Sequence, residues 1–234
     1  MNSGGAKART TLEKELYVNV LHNVVSSVSS ILKRKGVDVN WRNPEDDHRT
    51  ALHVACYFAH SEIAIVYLLQ TTDINMNVRD DLGETPFFAA CRCIRSKTRM
   101  MKDLLEDARV DTSLPNNDGI TPLWLCVDQE DLEVIEWMLI IRGYLDLEPR
   151  TLSTLAANPD TSVYELAQSK GGPILLLFDE YRQDPKQCRD RLKTKYGLQG
   201  LCFIIFFLLR SQIILGDFNT TRCSQVPGSS SGLR

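Results

Sequence analysis

The stretch Asp80–Asp81–Leu82–Gly83–Glu84–Thr85–Pro86–Phe87–Phe88–Ala89–Ala90 decides how this chain folds. It reads as a turn that runs directly into a helix. Gly83 accepts the positive φ of a tight turn. Thr85 supplies an N-cap oxygen, and Pro86 suits the first helical position, where its missing N–H costs nothing. Ala89 and Ala90 are small and leave room for a second helix. The same pattern returns in Asn117–Asp118–Gly119–Ile120–Thr121–Pro122–Leu123–Trp124–Leu125–Cys126. A looser copy precedes it, Asp47–His48–Arg49–Thr50–Ala51–Leu52–His53–Val54–Ala55–Cys56. The capping threonines Thr50, Thr85 and Thr121 recur about every 35 residues, the spacing of a repeat array.

Towards the N-terminus, apolar residues at helical spacing begin near Thr11, with Leu16, Val20, Val24 and Val28 four residues apart. Lys35–Gly36–Val37–Asp38–Val39–Asn40 then reads as a helix exit, so residues 11–42 form a divergent first unit. Unit one runs from about Pro44 to Val78, unit two from Arg79 to about Leu114, and unit three from Pro115 to about Leu147. In unit three Asp131–Leu139 is the second helix and Gly143 its end. A worn fourth copy, Asn158–Ala167, keeps a turn and a capping position at Thr161, and Gly171–Gly172 and Pro185 bound its second helix.

These recurrences resemble the ankyrin-repeat family over residues 11–183, on Thr85–Pro86, Thr121–Pro122 and Thr50–Ala51–Leu52–His53–Val54–Ala55. The resemblance implies an all-α solenoid of stacked helix–turn–helix repeats, about three full repeats with divergent caps. One such repeat cannot bury its own apolar face, so neighbours must stack. It also implies turn fingers along one edge and a concave surface that holds a protein partner. Carried over position by position, that surface takes Asp46, Asp47, Arg49, Tyr57 and Phe58 from unit one. Unit two gives Asp81, Leu82, Glu84, Arg92 and Cys93, and unit three Asn117, Asp118, Ile120, Asp128 and Gln129. Acidic tips around apolar anchors imply a partner segment with basic residues flanking an apolar side chain. Two departures are visible. His48 stands where the other fingers have glycine, which predicts a strained or differently shaped finger. The consensus histidine survives as His53, with Phe88, Trp124 and Tyr164 in its place elsewhere, so its bonds between loops are expected to be lost there.

Composition sets the bounds. The 234 residues are 43% hydrophobic and 24% charged, as in ordinary folded domains. A net charge of −3 gives no basic field for nucleic acid. Seven cysteines at irregular spacing argue against a disulfide framework. Cys56, Cys91 and Cys126 fill small-residue slots and read as buried thiols in a reducing, cytoplasmic or nuclear setting. Residues 1–10 lack the apolar core of a secretory leader and read as a mobile tail.

No catalytic constellation emerges, and the expectation is a non-enzymatic protein without metal or cofactor. His22, His48, His53 and His60 have no nucleophile at a telling spacing. Cys91 and Cys93 sit at i and i+2, which face apart on a helix, with no histidine at zinc-finger spacing. There is no phosphate-binding glycine loop. Residues 184–197 read as a basic helix, and Leu201–Leu209 is wholly apolar, interrupted at Arg210 and resumed to Leu215. Nine residues are too few to span a bilayer, which needs about 20. Extending the run brings Arg210 inside, at roughly 2.5–3.5 kcal/mol if central. Three readings stay open: a helix packed on the last repeat, a tail anchor that makes the chain a membrane adaptor, or an unfolded or partner-covered run. Residues 184–215 are thus a basic then apolar extension, and 216–234 a disordered tail.

Overall fold

The computed structural model describes residues 3–58, 62–93, 98–148 and 161–198. Eleven helices fill them: α1 Ser3–Leu21, α2 Val25–Leu32, α3 Ala51–Phe58, α4 Glu62–Leu69, α5 Pro86–Arg92, α6 Thr98–Glu106, α7 Pro122–Asp128, α8 Leu132–Arg142, α9 Val163–Lys170, α10 Gly172–Gln183 and α11 Pro185–Lys195. The described residues contain no strand. They divide into residues 1–192 and a second unit beginning at Lys193.

Within the first unit the helices form two rows. α1, α3, α5, α7 and α9 pack in sequence as an inner row, and α2, α4, α6 and α8 as an outer row. This is the all-α repeat solenoid that the sequence implies. Its inner helices start as the sequence dictates: the hydroxyls of Thr85 and Thr121 accept from the N–H groups of Phe88 and Trp124, each with proline next in line. The core between the rows is built from equivalent positions, Val28, Ile65 and Met101 in one layer and Ile31, Leu68 and Leu104 in the next, all buried. No single repeat could enclose these side chains, so each buried layer is shared between neighbours.

Polar clamps fix the repeat spacing. Asn40 donates to the Asp73 carbonyl (2.7 Å) and accepts from the Asn75 N–H (2.7 Å). Asn77 repeats this one unit on, with the Arg109 carbonyl and the Asp111 N–H (both 2.8 Å). Arg109 donates to the Leu69 and Thr71 carbonyls at the end of α4. Arg142 does the same for Asp107 and Val110 after α6. Unsatisfied helix-end carbonyls are thus met by a cation from the following repeat.

Three local expectations are corrected. The apolar stripe Leu16–Val28 is not one helix: Asn23 takes a left-handed conformation (φ +57°) and leaves Val24 41% exposed. The first helix begins at Ser3 rather than near Thr11. The worn copy is capped by Ser162, not Thr161, in a reciprocal box with Glu165. The run Leu201–Leu215 and most of the basic segment after Cys93, residues 94–97, lie outside the described residues.

Candidate functional site

The candidate site is the edge where the fingers and the ends of the inner helices meet. Each finger is braced by one side chain. In the second, Asp80 Oδ1 accepts from the N–H groups of Leu82 (3.0 Å) and Glu84 (2.9 Å). The Asp80 N–H donates to the Glu84 carbonyl (3.0 Å), and Gly83, at φ +76°, closes the turn. Asn116 braces the third finger in the same way, through Asp118 (3.0 Å) and Ile120 (2.9 Å), with Gly119 at φ +77°. The first finger is two residues longer, because Asn43 pairs with Arg49 and not with a residue four along. Here Asp47 (φ +44°) and His48 (φ +52°) carry the left-handed turn without glycine. The altered shape expected from His48 is therefore a widened finger.

The fingers are stitched to each other. The Asp81 N–H donates to the Asp47 carbonyl and the Asn117 N–H to the Leu82 carbonyl, both at 2.9 Å. Behind them lies His53, fully buried. Its Nδ1 accepts from the Thr50 N–H (3.1 Å) and faces the Thr50 hydroxyl (2.8 Å), so Nε2–H donates to the Glu84 carbonyl of the next finger (3.1 Å). Burial lowers its pKa to about 4, which keeps the ring neutral in this tautomer. In the following repeats Phe88 and Trp124 fill the same slot as buried rings.

The acidic tips do not stand bare. Arg49 reaches Asp46 (3.2 Å), Asp47 (3.3 Å) and Asp80 (3.3 Å). These carboxylates outweigh its partial burial and hold its charge more firmly than usual. Tyr17 donates to Asp46 from below, and burial with that carboxylate raises its hydroxyl pKa. His48 Nδ1 lies 2.8 Å from Asp81, which also meets Arg42 at 3.6 Å. Lys14 bonds Glu45 at 2.8 Å. Carboxylates still outnumber cations, so the edge keeps a negative balance.

Of the residues that the sequence nominated, Asp46, Asp47, Arg49, Tyr57 and Asp81 belong to this one cluster. Tyr57 and Phe58 are each 40% exposed and meet edge to face, ring centres 5.1 Å apart. The Arg49 guanidinium sits 5.9 Å from the Tyr57 ring centre. Leu82 is 44% exposed, Asn117 and Asp118 are exposed, and Ile120 is half-buried. Asp128 and Gln129 are exposed at the end of α7, and Asp128 is held by Lys170 at 3.2 Å. Glu84, expected among the exposed tips, is instead 3% exposed and ion-paired inward to Arg92. Desolvation raises its pKa, with Arg92 opposing. Arg92 lies 5.9 Å from the Phe88 ring centre, and Cys93 is buried. Sequence reasoning missed the braces Asp80 and Asn116, and Asn43, whose Oδ1 accepts from the Glu45 N–H at 3.1 Å in the first finger. A signal existed, because Asp80 and Asn116 each stand five residues before their capping threonine.

Cys56, Cys91, Cys93, Cys126 and Cys188 are buried free thiols, and desolvation raises the pKa of Cys56. Such thiols pack as small apolar groups and are poor nucleophiles. Among the described residues no group of three or more His, Cys, Asp or Glu side chains is placed to hold a metal ion. No helix among them is long and apolar enough to cross a membrane.

Two comparisons with known proteins agree with this outline. The family description "Ankyrin repeats (3 copies)" matches residues 16–113. An ankyrin repeat-containing protein of Schizosaccharomyces pombe is 27% identical over 153 residues, 62% of this chain and 69% of the relative.

Proposed function

We propose, on the premise that residues 16–113 of this chain are ankyrin repeats, that the finger edge binds a segment of a partner protein without catalysing a reaction on it. Ankyrin repeats are in general protein–protein interaction modules. The observation that carries the reading is the Tyr57–Phe58 pair, two half-exposed rings held beside a guanidinium that three carboxylates lock in place. Aromatic side chains on a rigid base make good anchors, because little side-chain entropy remains to be lost on binding. The negative balance around them favours lysine or arginine beside the partner's apolar residue. Because Arg49, Arg42 and His48 already answer the tip carboxylates, charge here selects partners and the aromatic pair supplies affinity.

A displayed library of linear peptides, panned on the full chain, tests this. Selected peptides should carry a large apolar residue with basic neighbours. Tyr57→Ala/Phe58→Ala should weaken their binding about tenfold or more, a hot-spot loss of about 1.4 kcal/mol or above. Peptides that bind the double variant as well as the natural chain would remove the site.

A further inference from the structure

The joints between neighbouring units are not held alike. Asn40, Asn77, Ser113 and Glu148 stand at one equivalent position. Each closes the same small turn, its N–H donating to the side chain two residues back: Asp38 (2.9 Å), Asn75 (3.0 Å), Asp111 (2.9 Å) and Asp146 (3.2 Å). At the first two positions the asparagine amide also reaches the next unit, as donor and as acceptor. Ser113 turns back onto its own Asp111, at 2.6 Å. Glu148 is exposed, and an ionised carboxylate cannot donate to a carbonyl.

Units two and three keep other ties. Arg142 holds the Asp107 and Val110 carbonyls, and Asn117 bonds the Asp81 and Leu82 carbonyls. Among the described residues no side-chain amide or arginine bridges unit three to the last helical pair, α9 and α10. Trp124 occupies the place from which His53 donates to the next finger, and its indole N–H is buried with no partner among the described residues. A cavity of about 220 Å³ lies between the corner after α7 and the corner after α9, with Val127, Leu132, Ala167 and Ile174 among its walls. A void forfeits packing on one side of its lining, and an unmet buried donor costs more than a missing bond.

Three ties do cross this joint. The Tyr164 N–H donates to the Leu147 carbonyl (3.2 Å), and the Leu145 N–H to the Tyr181 hydroxyl (3.1 Å). Lys170, at the cavity wall, donates to the Asp128 carbonyl (2.6 Å) and meets the Asp128 and Glu130 carboxylates at 3.2 and 3.8 Å.

We infer that the array opens first at this joint, with α9 and α10 leaving as one local unit while units one to three stay folded. The opening bares Val127, Leu145 and Leu147, now buried beside the last pair, and leaves the Tyr57–Phe58 edge intact. The surface proposed to bind and the end that yields are therefore different parts of the chain. The opposite end is clamped by Asn40, so the asymmetry between the ends is the signature that general fraying would not give.

Native-state hydrogen exchange of the full chain, read by mass spectrometry on peptides from α2, α5 and α10, tests this. With each rate divided by its unfolded-chain value, α10 should exchange about tenfold or more faster than α2 and α5. Lys170→Met keeps an apolar stem in the cavity wall and removes the ammonium. It should speed α9 and α10 about another fivefold and leave α2 and α5 unchanged. Asn40→Ala should speed α2 and leave α10 as it was. Exchange of α2 as fast as that of α10, or one rate shared by all the helices, overturns the inference. So does a Lys170→Met variant in which every helix is speeded alike.

Discussion

The first finger, residues 43–49, and the second, residues 80–84, close the same kind of turn by different physical means. The second is short, and Gly83 adopts φ +76° without steric cost. It is braced from within by Asp80, whose side chain is 1% exposed. The first has no glycine. It spends two more residues, holds Asp47 and His48 in the left-handed region, and is stapled by Arg49 to Asp46, Asp47 and Asp80. One finger is thus fixed by a glycine turn on a buried side-chain brace and the other by ion pairs borrowed partly from its neighbour. Asp80 serves both, as the brace of the second and an anchor of the first.

That double role gives the largest expected effect. Asp80→Ala strips the Leu82 and Glu84 N–H groups of their acceptor and removes one carboxylate from Arg49. We expect a loss of about 3–4 kcal/mol in a urea melt, from unsatisfied donors and a weakened part-buried cation. Asp80→Asn keeps the acceptor, as Asn116 does in the third finger, and should cost about 1 kcal/mol or less. If the two variants were equally damaging, the brace would matter less than the charge, and the contrast between the fingers would collapse.

The link between the fingers is pH-sensitive through His53. Its folded pKa of about 4 lies below the ordinary 6.5. Between these values the unfolded chain binds a proton that the folded chain refuses, so stability falls as pH drops from 6.5 and the loss levels off below 4. The full effect approaches about 3 kcal/mol. Glu84, whose pKa is raised, works in the opposite direction as it protonates, so the contribution must be isolated with a variant. His53→Phe copies the residue at position 88. It should cost about 1–2 kcal/mol at pH 7 through the lost bonds to Thr50 and Glu84. Its urea midpoint should then fall less than that of the natural chain between pH 6.5 and 4. A parallel fall would place the sensitivity elsewhere.

How much of this was legible varies with the range of the interaction. Thr85–Pro86 and Thr121–Pro122 act within one turn of helix, and they announced both the caps and the repeat length. Gly83 and Gly119 marked the tight turns for the same reason. His48 flagged a departure but not its form, because the widening depends on Asn43 reaching Arg49. The burial of Glu84 was not legible, since Asp81 in the same finger has the same charge and is exposed; what separates them is the ion pair of Glu84 with Arg92 at the far end of α5. Nor was the mutual neutralisation of the tips, which joins Arg42, Arg49 and His48 to carboxylates of two fingers.

Gly83→Ala sharpens the comparison from the other side. The added Cβ would lie 2.2 Å from Asn117 Oδ1 and 2.6 Å from Arg79 Nη2. Both are side-chain atoms that can move, but Asn117 also donates to the Asp81 carbonyl at 2.8 Å and would have to give that up. With the left-handed backbone penalty of about 1–2 kcal/mol, the total should be about 2 kcal/mol by thermal melt. A cost near zero would show that this finger tolerates what the first one does.

The smallest effect is the most exacting, because it asks whether the first finger is strained at all. His48→Gly relieves the backbone at φ +52° but frees the unfolded chain and gives up the 2.8 Å contact to Asp81. The contact is exposed and worth about 0.5 kcal/mol. Relief is about 1–2 kcal/mol and the added freedom of the unfolded chain offsets about 0.5–1 kcal/mol of it, so with the lost contact the net change should stay within about 0.5 kcal/mol. His48→Ala loses the same contact and keeps the strain. The difference between the two variants therefore removes the Asp81 contact from the account, and His48→Gly should be the more stable by about 0.5 kcal/mol. If alanine proved equal or better, positions 47 and 48 would be at ease without glycine. The ion pairs of Arg49 would then serve the binding edge alone, with no turn to hold in place.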